Sequence, residues 1–185
     1  YLHEVTPAGE IIWEFTNLLP NPINNNIFKV RRYSENYSGL FQLWHYIELD
    51  AGWNLISLPR IQSNTSISEV LRSIDGKWDR IRFYNTTQPE HWLSHNVYKP
   101  SEMNTLDYLD RRMGIWLHMI EPGTLTVYGS PSNYTEIQMY AGWNLVSYPS
   151  MIPETISNSL SGTGYDQVEG FNASAPYLIS QLPDT

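Results

Sequence analysis

His91 and His95, four residues apart in the run HWLSH, have the spacing that could do metal chemistry. On a helix the two imidazoles would share a face and could share an ion. The run follows Gln88-Pro89-Glu90 and precedes Asn96-Val97-Tyr98-Lys99-Pro100, which reads as loop, and no third ligand accompanies it, so no metal is assigned. His3, His45 and His118 stand isolated in strand-like sequence, and no G-x-S-x-G elbow marks a nucleophile. Asp107/Asp110 and Glu10/Glu14 would need placement across a cleft to act as paired acids; their spacing fits solvent-facing positions. Gly162-Thr163-Gly164 is too short for a phosphate loop. No catalytic residue and no cofactor is therefore expected. The chemistry the sequence does offer is modification: Asn36, Asn64, Asn85, Asn133 and Asn172 each open an N-x-[ST] triplet, a modest excess for so Asn-, Ser- and Thr-rich a chain.

The elements that must carry these residues are mostly β. Pro7-Ala8-Gly9 separates two β-prone runs within residues 1–16, which predicts a hairpin. Residues 17–26, with two prolines and five Asn, predict a loop. Strands are expected at 27–33 and 41–50. Ser66-Ile67-Ser68-Glu69 reads as a capping box opening a short helix, with Ile67, Val70, Leu71 and Ile74 on one face. WDRIRFYN, GIWLHMI and LTVYG predict further strands, the second apolar enough to be buried on both faces.

One nine-residue strand occurs twice, AGWNLISLP at 51–59 and AGWNLVSYP at 141–149. At the same offset Ile47 matches Ile137 and Leu49 matches Met139. Further on the offset changes by three, and Trp78-Asp79 and Ile81 match Tyr165-Asp166 and Val168, Tyr84 matches Phe171, and Asn85 matches Asn172. This is a duplicated unit of about 90 residues. Within each motif Gly52 and Gly142 permit the tight entry, Trp53 and Trp143 are expected to fill a core, and Asn54 and Asn144 to bond loop backbone. Trp53, Leu55 and Ser57 should point to one face, with Asn54, Ile56 and Leu58 on the other. The second unit has no counterpart of GIWLHMI or LTVYG.

Two resemblances attach to these residues. GWNLISLP, WDRIRFY, GIWLHM, LTVYG and GWNLVSYPS, in that order over residues 47–172, resemble a module common in secreted and surface-layer-associated proteins of archaea and some bacteria. Ile115 stands where an aromatic is usual. HEVTPAGEIIWEF and NNNIFKVRRYSENYSGL, over residues 3–40, resemble the C-terminal end of the secreted arylsulfotransferase-like β-propeller family. Arg31 or Arg32 would match the arginine of that family's R-Y segment, while its catalytic blades would lie earlier in the chain. The resemblances imply a non-catalytic surface module or, alternatively, the accessory part of a sulfate-transferring enzyme. The many Tyr and Trp suit a carbohydrate-binding module as a second alternative.

Composition fits the first of these. Charged residues are 16% of the chain against roughly 25% in average domains. A net charge of −8 argues against a nucleic-acid partner. Cysteine is absent, and no apolar stretch approaches the roughly 18 residues of a membrane helix. Tyr1 begins in strand-like sequence with neither Met nor a signal peptide, as expected of a processed chain or a fragment. The expectation is a mostly β, extracellular or cell-surface protein. It comprises a propeller-blade-like segment (1–40), a first sandwich-like module with short helices (41–136) and a second, incomplete one (137–185). Its partners would be neighbouring protein subunits or domains at the cell surface, reached by strand complementation, with glycans as a second class and with no nucleic acid and no membrane span.

Overall fold

The computed structural model describes residues 2–5, 11–15, 43–132, 134–173 and 177–181. Asn36, Asn133, Arg31, Arg32, the 17–26 loop and the 27–33 strand lie outside them. The chain divides into two compact units, Tyr1–Asn36 and Tyr37–Thr185. In the first, β1 (Leu2–Val5) pairs antiparallel with β2 (Ile11–Phe15), with a register irregularity between Glu4 and Val5. This is the hairpin that Pro7-Ala8-Gly9 predicts.

The second unit is mostly β and antiparallel, as its alternating sequence demands. Its strands are β3 (Trp44–Leu49), β4 (Gly52–Ile56), β5 (Trp78–Tyr84), β6 (Trp92–Asn96), β7 (Ile115–Met119), β8 (Gly123–Tyr128), β9 (Val168–Asn172) and β10 (Tyr177–Gln181). A four-stranded sheet has the order β4-β7-β5-β6, while β3–β8 and β9–β10 form separate two-stranded ribbons. Asn54, Ile56, Ile81, Ile115, Leu117 and Met119 from the sheet, Leu49, Leu125 and Val127 from the β3–β8 ribbon, and Ile67, Val70, Leu71 and Ile74 from the helical turns are all buried. The apolar members make one cluster. Alternation along β4 therefore falls as expected, with Asn54, Ile56 and Leu58 inward.

Three local expectations are corrected. The helix α1 is a single turn, Ile67–Val70, continued by a 3-10 turn at Arg72–Ile74, and Ser66 makes no side-chain cap bond. Its backbone N–H instead donates to Asn64 Oδ1 at 2.9 Å, so an Asx turn replaces the capping box. HWLSH is not loop: Trp92–Asn96 is a strand, because β5 offers it a paired edge from Arg80↔Asn96 to Tyr84↔Trp92. GIWLHM is central yet covered fully on one face, where Ile115, Leu117 and Met119 are buried while Trp116 and His118 remain half-exposed.

Candidate functional site

The repeated motif builds the same turn twice. Asn54 Oδ1 accepts the Asp50 N–H at 3.0 Å, and its Nδ2 donates to the Asp50 and Gly52 carbonyls at 2.8 and 3.1 Å. Asn144 repeats this on Tyr140 N–H, Tyr140 O and Gly142 O at 2.9, 2.6 and 2.8 Å. Gly52 and Gly142 adopt φ of +93° and +89°, where a side chain would be strained. Retention of Gly and Asn in both motifs is thus a backbone requirement.

The two turns lead into different structures. Residues 52–56 form β4, paired with β7 from Gly52↔Met119 to Ile56↔Ile115. Residues 142–146 form no strand, and their pairing is a lone bridge, Val146↔Met113. The segment before it behaves likewise. β3 pairs with β8, whereas the described residues of 134–139, its sequence counterpart, are not strand. Yet β9 and β10, which correspond to β5 and β6, do pair, from Val168↔Gln181 to Asn172↔Tyr177. The short helix recurs as α2 (Ile156–Ser159), capped by Thr155 Oγ1, which accepts the Asn158 N–H at 3.3 Å. Every part of the second repeat whose partner is local forms. The two strands whose partners would be β7- and β8-like do not, and among the described residues no such pair follows β10. Exposure records the loss: Leu58 is at 0% and its counterpart Tyr148 at 41%.

The second repeat leans on the first. Ser147 N–H donates to Arg112 O at 3.2 Å, Tyr148 N–H to Ser57 Oγ at 2.9 Å, and Thr86 Oγ1 to Trp143 O at 2.9 Å. A Cβ on Gly114 would stand 2.6 Å from Val146 O, so glycine there admits the second motif's backbone. Phe171 packs on Trp116 at 4.8 Å between centroids. A cleft of about 390 Å³ remains between the repeats, lined in part by His45, Leu55, Ser57, Tyr148 and Phe171.

His45 has its pKa held below the usual 6.5, chiefly by burial and then by the Arg60 cation. As pH falls below about 6.5, the unfolded chain binds this proton before the folded one does, so His45 adds a loss of stability on the acid side. Urea midpoints should fall between pH 7 and 5, and His45→Gln should flatten that fall.

The outer face of the four-stranded sheet is a grid read directly from its register. Trp53, His118, Arg80 and Asn96 lie across one row, and Leu55, Trp116, Arg82 and Ser94 across the next. Beyond them Tyr84 opposes Trp92. His118 Nδ1 is 2.6 Å from Asp79 Oδ1, and Arg80 Nε donates to Asp79 Oδ2 at 3.3 Å. His118 is therefore not isolated: the bulge at Asp79, where the register shifts between Trp78 and Arg80, brings a carboxylate to it. The cross-strand neighbours of this dyad are Trp53 and Arg80, neither a nucleophile. The Trp53 ring stands 5.0 Å from the His118 ring, with the Arg80 and Arg82 guanidiniums 5.9 and 5.4 Å from its centroid. Trp53 thus sits on the outer face and Trp143 is 55% exposed, so neither fills the core as their sequence context suggests.

The other sequence candidates are dispersed. His91 Nδ1 lies 3.3 Å from Asn85 O and His95 Nδ1 3.1 Å from Leu106 O, each against its own backbone carbonyl. Asp110 is half-buried and forms an ion pair with the exposed Arg112 at 2.6 Å, while Asp107 is exposed. Asn64 and Asn172 are exposed, and Asn85 Oδ1 accepts from the Thr87 hydroxyl at 2.8 Å. No helix among the described residues is long and apolar enough to cross a membrane. Comparison with family models, curated proteins and solved structures found no match.

Proposed function

We propose that this chain is a non-catalytic structural module of an extracellular or cell-surface protein, and that its second repeat joins it to a neighbouring subunit or domain by accepting added β-strand. The observation that carries this reading is that 141–146 keep the sequence and the Asn–Gly turn of β4, yet neither they nor the preceding 134–139 form the strands of the first repeat. Strands satisfy backbone groups only through a partner. The first repeat supplies the specification of that partner: two successive strand segments like β7 and β8, running antiparallel to the acceptor, apolar at alternate positions, with a glycine before the first. Donation of such strand from another subunit or domain is β-augmentation. The low charge and the Asn-rich triplets suit such an extracellular assembly.

A labelled peptide spanning residues 113–129 should bind the intact protein saturably in fluorescence anisotropy. Val146→Asp, which places a charge in the accepting strand, should weaken it at least tenfold. Absence of saturable binding, or equal binding by the variant, would contradict the reading.

A further inference from the structure

The outer face of the sheet carries two arginines, Arg80 and Arg82, on a chain whose net charge is −8. Arg80 is engaged by Asp79, but no carboxylate among the described residues forms an ion pair with Arg82, which is exposed. Trp53 holds the Arg82 guanidinium against its ring and Trp116 lies cross-strand from it, so the fork is positioned without being neutralised. Two residues along β5, about 7 Å further, Tyr84 meets Trp92 edge-on at 5.2 Å, and the Trp92 indole is 52% exposed. Arg82, Tyr84 and Trp92 share this face because Arg82 opposes Ser94 and Tyr84 opposes Trp92 in register.

A fixed guanidinium takes a planar or tetrahedral anion through two parallel N–H donors, which a lysine cannot do. A flat, half-exposed indole beside it offers its face to the C–H side of a sugar ring. The geometry points to a binding site for an acidic polysaccharide, in which Arg82 holds a sulfate ester or carboxylate and Trp92 stacks on an adjoining sugar. An acidic peptide would meet Arg82 but leave Trp92 uncovered. The overall negative charge repels polyanions at long range, so any such binding must be made at a local site. This site lies on the first repeat and does not depend on strand acceptance by the second.

The test is binding of the intact protein to immobilised dextran sulfate, with neutral dextran as the same backbone uncharged. Polygalacturonate separates carboxylate from sulfate as the anion, and binding of either one sustains the site. Dextran sulfate or polygalacturonate should be retained and neutral dextran not. Arg82→Gln should lower affinity about tenfold, Trp92→Ala several-fold, and Arg72→Gln, an exposed arginine elsewhere, not at all. Arg82→Lys keeps a cation over Trp53, so it serves if Arg82→Gln fails to fold, and it too should weaken binding. The proposal is overturned if neither acidic polysaccharide is retained or neutral dextran binds as well. It is also overturned if the Arg82 and Trp92 variants bind like the unaltered protein, if Arg72→Gln loses as much as they do, or if polyglutamate binds as tightly as the polysaccharide.

Discussion

Leu117→Ala should lower the unfolding free energy by about 3.5 kcal/mol, the middle of the range for a fully buried leucine. Leu117 is at 0% exposure on β7, which bonds to β4 on one side and β5 on the other. Its side chain belongs to the cluster that also holds Ile81, Leu125 and the helical turn residues. Removing it opens a cavity where three elements meet, and neither flanking strand can close inward without losing register. The melting temperature should fall by on the order of 10 °C. Leu145, on the second repeat, makes the contrast: it is half-buried, and truncating it should cost under about 1 kcal/mol. Chemical denaturation of the two variants side by side checks both values.

Asn54→Ala should cost about 2 kcal/mol and Asn144→Ala well under 1 kcal/mol, although each side chain makes the same three bonds. The difference lies in what surrounds the turn. Asn54 is at 3% exposure, on the inner face of a paired strand. Its loss removes three hydrogen bonds and leaves a void beside the core. Asn144 caps a turn whose Tyr140 is 49% exposed and whose next segment is unpaired, so water replaces the lost partner. Equal costs at the two sites would mean that the second turn is as firmly embedded as the first. When the 113–129 peptide is bound, the cost of Asn144→Ala should rise toward that of Asn54→Ala.

Much of this fold is legible in the sequence, because it depends on local rules. Pro7-Ala8-Gly9 announces a hairpin, and the Gly–x–Asn spacing announces a turn that the backbone then uses twice. The offsets of 90 and 87 residues locate the duplication down to the match of Tyr84 with Phe171. Local rules leave open which face of a strand is covered. Alternation puts Trp53 opposite Asn54, but nothing in the motif says that the buried side takes the asparagine and leaves the indole outside. The Asp79–His118 contact depends on a bulge in β5 and on β5 and β7 being neighbours, a pairing between segments about forty residues apart. HWLSH reads as loop beside its proline and becomes strand only because β5 lies alongside. Ser66 and Glu69 have capping-box spacing, yet Asn64 takes the Ser66 amide first.

The same dependence on distant partners explains the second repeat. At 142–146 its sequence is nearly that of 52–56, so propensity cannot account for the absence of strand there. The difference is the β7 and β8 strands that β4 and β3 have as partners and that their counterparts lack among the described residues. Met113 offers Val146 one bridge, and Gly114 lets that backbone come close, but one bridge does not make a strand. The second motif is therefore read as an acceptor held in place by its turn.

Amide hydrogen exchange at residues 142–146, with and without the 113–129 peptide, tests this most directly. In the protein alone, amides in 52–56 should be protected to near the global stability and those in 142–146 should exchange through local opening. Saturating peptide should slow exchange at 142–146 and 134–139 by at least tenfold while leaving 52–56 unchanged. Strong protection at 142–146 without peptide, or protection by peptide confined to 44–56, would contradict the account.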